Sequence, residues 1–320
     1  MGRFGLDKSG NPQTLAALGG RYNVTRERVR QIEVSALAEL KRKIGENSQC
    51  LEILEKGKKV LKDAGGVLRK EALLGELQKS YEGLTENHLR LLIEAAKAFF
   101  EHNDDRDYWS FYYLDKNAEK SAGNFITQWA QFLKTKKEHV LSGKYEEELR
   151  GFLKRKNISA DHALNFLRLS KKIHQNPFGD KGLTEWPEIK PRTIRDRAYL
   201  ILKKKNDPMH FRVITKTINE TGFEARQASA PTVHNELIKD DRFVLVGRGI
   251  YALAEHGYEP GTAREIIAKV LKKHGPLRPR EVISAIQRER FFKPNTILVN
   301  LQNKSYFERL PNGSYQVRES

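Results

Sequence analysis

The chain has 320 residues, 38% of them hydrophobic and 31% charged, with a formal net charge of +17. That length fits two to four small domains, and so large a positive excess points to a polyanion, of which nucleic acid is the commonest. A single cysteine, Cys50, excludes a disulfide framework and a thiolate zinc site, and neither a bilayer-length apolar run nor an apolar leader is present, so a cytoplasmic, nucleoid-associated protein with no membrane partner is expected.

The first patterned segment runs from Thr14 to Lys43, TLAALGGRYNVTRERVRQIEVSALAELKRK. Thr14 is a good N-cap, and Leu15 and Leu18 then share one helical face. Gly19, Gly20 and Asn23 are expected to break that helix, with Asn tolerating the left-handed conformation of a tight turn. Thr25 is a second N-cap. Val29, Ile32, Ala36, Leu37 and Leu40 continue at helical spacing and predict a buried stripe, while Arg26, Glu27, Arg30 and Gln31 occupy the opposite face. A short helix, a turn and a longer helix with a polar face fit the major groove of double-stranded DNA.

These residues carry a resemblance. RFGLD at 3–7, TL at 14–15, Gly19, VTRERVRQIE at 24–33, Ala36-Leu37 and Leu40 make residues 3–43 similar to region 4 of the bacterial housekeeping sigma-factor family. The resemblance implies a helix that reads a −35-like promoter element, with base-edge roles for Arg26, Glu27 and Gln31, base or phosphate contact for Arg30, and phosphate contact for Thr25 and Arg28. The chemistry of those side chains agrees: Arg forks onto guanine, Glu accepts from cytosine N4, and Gln pairs with adenine. Ala16 and Ala17 stand where the family is usually acidic, and neither the two helices that precede this segment in the family nor its promoter-melting domain is visible. The resemblance therefore covers about an eighth of the chain and implies promoter-like DNA reading without autonomous sigma activity.

Residues 51–117 are expected to form a winged helix whose hairpin, FFEHNDDRDYWSFYYL, is acidic at its tip and so suits a protein-binding or structural role. Residues 118–176 read as a helical block built on Phe125, Trp129, Phe132, Leu133, Val140, Leu149, Phe152, Leu153, Leu164, Phe166 and Leu167. Residues 177–193, with Pro177, Pro187 and Pro191, read as a linker or packed loop.

The C-terminal part contains two copies of one unit, at 194–257 and 262–320. Ile201-Leu202-Lys203-Lys204 corresponds to Val270-Leu271-Lys272-Lys273, Pro208 through Arg212 to Pro276 through Arg280, Thr232 through Leu237 to Thr296 through Leu301, and Phe243 through Leu253 to Phe307 through Val317. The order of helix, short helix, helix and hairpin predicts tandem winged helices. The third helix of each is the candidate groove reader, and Arg248, in the hairpin tip Gly247-Arg248-Gly249, is a candidate backbone contact. PMHFR at 208–212 and FVLVGRGIYAL at 243–253 make the first copy similar to the HARE-type helix-turn-helix family, which implies association with DNA or RNA polymerase.

No catalytic or metal-binding constellation emerges. The nine histidines are scattered. Asp180, Glu188 and Lys190 mimic a nuclease triad, but Pro187 and Pro191 flank the Glu-x-Lys and exclude the core strand it needs. Asp104, Asp105 and Asp107 read as a solvated turn. The expectation is a mainly α protein with an N-terminal helix-turn-helix, a helical middle and tandem winged helices with small β-hairpin wings. The chain is expected to bind double-stranded DNA as a transcription regulator, with RNA polymerase as a candidate second partner and with no cofactor, metal, small-molecule substrate or enzymatic activity. The alternative is a non-enzymatic DNA-recognition subunit of a restriction or defence system.

Overall fold

The computed structural model describes residues 1–8, 10–224, 226–258, 261–287 and 291–318. The protein is mainly helical, with short antiparallel strands, and falls into two compact units. The first comprises residues 1–175 and 180–185; the second comprises 176–179 and 186–320. No described helix is long and apolar enough to cross a membrane.

The first unit opens with a 3-10 turn at Gly2–Phe4, followed by α1 (Leu15–Tyr22), α2 (Arg26–Glu46) and α3 (Ser48–Asp63). Next come β1 (Val67–Arg69), α4 (Lys70–Gln78), α5 (Glu86–Ala96), β2 (Phe100–His102) and β3 (Phe111–Tyr113). The strands pair antiparallel in the order β1-β3-β2, so Leu68 and Glu101 flank Tyr112. Leu61, Leu73, Leu77, Leu89 and Phe99 fill the core beneath them, each at most 1% exposed. The C-terminal half of α2 enters the same core: Ile44 is buried in it, and Leu37 and Leu40 pack against it.

The aspartates read as a solvated turn are solvent-exposed, and they also tie down the hairpin at 99–114. Asp105 accepts from the Asp107 and Tyr108 amides at 2.8 and 2.7 Å, while Lys171 pairs with Asp104 at 2.6 Å and Lys172 with Asp107 at 2.9 Å. Trp109 lies between Arg69 and Lys171, at 5.0 and 4.6 Å from its ring centre. The acidic tip is thus held by contacts inside the unit while its carboxylates stay exposed.

A helical block follows: α6 (Lys116–Thr135), α7 (Lys137–His139), a π turn at Val140–Lys144, α8 (Tyr145–Lys156) and α9 (Ala160–Leu169). Phe125 packs edge-on against Phe152 and Phe166, and Trp129 donates to the Tyr145 hydroxyl at 3.2 Å. Leu164, expected in this core, is 41% exposed. It sits one position from Ala163, which takes the inward register on α9. The block closes with the hairpin β4 (Ile173–Gln175) and β5 (Lys181–Leu183).

The second unit begins in the segment expected as a linker or packed loop, and it is packed: Trp186 and Ile189 are buried, and the Asn176 side chain donates to the Glu188 carbonyl at 3.0 Å. Then come α10 (Ile194–Lys205), β6 (Met209–His210), α11 (Phe211–Glu220), α12 (Ala230–Ile238), β7 (Phe243–Gly247) and β8 (Ile250–Leu253). The order recurs in α13 (Ala263–His274), α14 (Pro279–Gln287), α15 (Pro294–Leu301), β9 (Phe307–Arg309) and β10 (Tyr315–Val317). Each copy has its own core, one around Ile201, Ile214, Val233 and Leu237, the other around Ile267, Val282, Ile286 and Ile297. Met209 faces Tyr251 across β6 and β8, and Leu277 bridges Tyr315 at the equivalent place in the second copy. Leu68 and Tyr112 make the same pair in the first unit, whose residues 48–113 run through the same order of elements. Arg288 and Arg290 lie outside the described residues.

Candidate nucleic-acid interface

The Thr14 hydroxyl accepts from the Ala17 amide at 3.1 Å and so caps α1. Gly19 and Gly20 do not break this helix, contrary to expectation; they lie within it, and Asn23, at φ 54°, ends it. The helix survives because Gly19 is where the turn folds back. The Val24 amide donates to the Gly19 carbonyl at 2.9 Å, and a Cβ on Gly19 would stand 2.7 Å from the Val24 carbonyl oxygen. The glycine thus serves close approach of the turn to the helix.

Thr25 then caps α2, its hydroxyl accepting from the Arg28 amide at 3.1 Å. Arg26, Glu27, Arg28, Arg30 and Gln31 are all exposed in the first two turns. Arg30 donates to both Glu27 carboxylate oxygens, and Arg28 donates to the Gln31 side-chain oxygen at 3.3 Å. The Arg30 hydrogen bond holds the Glu27 carboxyl below its ordinary range. An exposed pair one turn apart is worth little, so it can be traded for a base contact without a large penalty. Three arginines at a helix N-terminus, where the backbone amides already favour anions, make a surface suited to phosphate. Arg3 ties the N-terminal turn to α2 by pairing with Glu33 at 2.8 Å, Asp7 pairs with Arg21 on α1 at 3.6 Å, and the Asn87 side chain on α5 donates to the Gly5 and Gly10 carbonyls.

The stripe on α2 behaves differently from its sequence pattern. Leu37, Leu40 and Ile44 pack into the core shared with α3 and α5, whereas Ile32 is 51% exposed and Ala36 is exposed as well. Both line an open apolar groove of about 610 Å³, together with Phe4, Leu18, Val29 and Leu91. The buried-stripe expectation fails there because no described element covers that face of α2. Periodicity reports which face is apolar and is silent on what covers it.

Arg248 is exposed at the β7–β8 tip, but the hairpin is not a free wing. Val244, Val246 and Ala252, on the face turned away from the unit's helical core, are at most 3% exposed. The Phe291 amide donates to the Val246 carbonyl at 2.9 Å, and a Cβ on Gly247 would lie 2.9 Å from the Phe291 carbonyl oxygen. Gly249, at φ +70°, lies against His210 and Phe211. The two glycines that flank Arg248 thus admit close approach of the protein's own chain.

Glu188 and Lys190 lie in a turn, and Lys190 pairs with Glu224 at 3.7 Å. The Glu-x-Lys therefore lacks the strand that a nuclease centre requires. Among the described residues no group of three or more His, Cys, Asp or Glu side chains is placed to hold a metal ion. The contacts of Asn87, the groove and the Phe291 pairing were not foreseen; each joins residues far apart in sequence, and none leaves a local pattern.

Residues 2–42 match the family model described as Sigma-70, region 4, a DNA-binding helix-turn-helix. No curated protein matches the chain.

Proposed function

We propose that the protein is a DNA-binding transcription regulator that lays α2 in the major groove of a promoter-like, −35-like site. The observation that carries this reading is the exposed row Arg26, Glu27, Arg30 and Gln31 at the N-terminus of a capped helix, within a segment that matches sigma-70 region 4. In this reading Arg26, Glu27 and Gln31 meet base edges, Arg30 a base or phosphate, and Thr25 and Arg28 the phosphates. The apolar groove along Val29, Ile32 and Ala36 is the place proposed for a contact with RNA polymerase. The repeated helix, helix, helix and hairpin units of the C-terminal half are read as winged helices, the first of HARE type. The protein acts by binding and carries out no reaction.

Selection of bound duplexes from a random pool tests the proposal. A −35-like hexamer is the expected result. A pool that stays random after repeated selection sinks it. Co-purification with RNA polymerase that is abolished by Ile32→Asp tests the groove.

A further inference from the structure

Neither third helix of the C-terminal copies contains a lysine or an arginine: α12 reads APTVHNELI and α15 reads PNTILVNL. Their exposed faces present Thr232, Asn235 and Ile238, and Asn295, Thr296 and Val299, with Ile238 and Val299 63% and 67% exposed. A helix without cations gains little of the counterion release that drives binding to a nucleic acid. The β7–β8 hairpin, for its part, is engaged by Phe291.

Lys239 follows α12 and Lys293 precedes α15, but the feature common to both copies is a cluster of cations at the corner between the first and second helices. α10 ends in Lys203-Lys204-Lys205 and α11 carries Arg212 in its first turn; α13 ends in Lys272-Lys273-His274, and Arg278 and Arg280 open α14. The pairs Met209–Tyr251 and Leu277–Tyr315 pin the intervening chain in the same way in each copy. Lys205, Arg212, Lys272, Lys273 and Arg280 are exposed.

Helix stability accounts for only half of this arrangement. Lysines in a last turn offset the negative end of the helix dipole, as Lys205 and Lys273 do. Arginines in a first turn meet its positive end, which disfavours them. The first turn of α11 contains no acid to compensate. In α14 the capping is done by Glu281, which accepts from the Arg278 amide at 2.7 Å, so the arginine side chains are not needed for it. A cation that its own helix does not favour, placed beside others at a matching corner of both copies, is explained by an external polyanion.

We propose that the C-terminal copies grip the phosphate backbone of double-stranded DNA at these two corners, through Lys205 and Arg212 in the first and Lys272, Lys273 and Arg280 in the second. The grip is independent of sequence and does not use the third helices. The choice of DNA among polyanions rests on the reading of α2 given above.

The full chain is tested with the combined variant Lys205→Gln, Arg212→Gln, Lys272→Gln and Arg280→Gln, whose unchanged thermal melting shows that the fold is intact. Binding to a selected site and to a scrambled duplex is measured over a range of salt. Affinity for both duplexes should fall by the same factor, and the slope of log affinity against log salt should shrink by about 0.9 for each phosphate that is no longer neutralised. Asn235→Ala with Thr296→Ala should change neither quantity. Wild-type affinity and slope in the corner variant overturn the proposal, even where Gln31→Ala still alters the preference between duplexes and so upholds α2. If the corner variant binds more weakly while Arg26→Ala and Gln31→Ala leave preference untouched, the corners stand and the α2 reading falls. Loss of RNA affinity with DNA affinity retained also overturns the proposal.

Discussion

Arg30 holds Glu27 from one turn further along α2, its guanidinium donating to both carboxylate oxygens at 2.7 to 3.1 Å. The pair keeps an acid among the exposed arginines of this face, and the proposed base-reading role of that acid can be tested. Glu27→Ala should leave affinity for scrambled duplex equal or higher, because a carboxylate near phosphate is repelled, while preference at one base pair is lost. Competition binding against duplexes varied at single positions measures both. Because Arg30 holds the Glu27 carboxyl below its ordinary range, the group stays ionised down to that lowered value. Preference due to Glu27 should thus be the same at neutral and mildly acidic pH, and fall away only as pH drops through the lowered value.

Arg26→Ala and Gln31→Ala should each relax preference at one or two positions, by roughly 1–3 kcal/mol for a good bidentate contact. Both side chains are exposed, so thermal stability should not move. Retention of wild-type preference in both variants would falsify the role assigned to α2.

The net charge of +17 predicts a steep salt dependence for the whole chain. Affinity for any duplex should fall linearly on a log–log plot, with a slope of about −0.9 per phosphate neutralised. Arg248 is exposed although its hairpin is engaged by Phe291; if its side chain reaches a phosphate, Arg248→Ala should weaken binding to all sequences alike, and unchanged affinity removes it from the interface. A flat salt response rules out the phosphate contacts altogether.

Two adjacent glycines of α1 should respond oppositely to alanine. A Cβ on Gly19 meets the Val24 carbonyl oxygen at 2.7 Å, so Gly19→Ala should destabilise the helix-turn-helix by about 1–3 kcal/mol. Gly20 has nothing within 4 Å of that position. In a helix interior Gly20→Ala should therefore stabilise by roughly 0.5–1 kcal/mol. Hydrogen exchange of the α1 and α2 amides distinguishes the two.

In the second unit Arg242 donates to Asp240 at 2.7 Å and to Asp196 at 3.2 Å, and lies 4.9 Å from the Tyr199 ring centre. The Arg242 hydrogen bond holds the Asp240 carboxyl below its ordinary range. A depressed carboxyl contributes stability above its unfolded value and loses it as pH falls through the folded one. Arg242→Met should cost about 1 kcal/mol at neutral pH, allowing for solvent screening of a part-exposed pair. The difference from wild type should vanish in acid. Protection of the α10 amides against exchange, followed over pH, gives the measurement.

The sequence by itself determined what is local. Thr14 and Thr25 compete for amides only a few residues away, so both caps of the helix-turn-helix are legible, and so is the exposed row from Arg26 to Gln31, which the cap orients. The two C-terminal copies are likewise visible in their spacing, because each carries its own core. Tertiary structure alone decided which apolar residues are covered. Ile32 and Leu40 belong to one stripe in the sequence, yet Leu40 packs against the core under α5 while Ile32 opens onto a groove. It also decided what the glycines at 247 and 249 are for, since the chain that approaches Gly247 comes from Phe291. Caps and periodicity are short-range properties written in neighbouring residues. Burial depends on which distant surface arrives, and the α2 stripe reads the same whether a partner covers it or not.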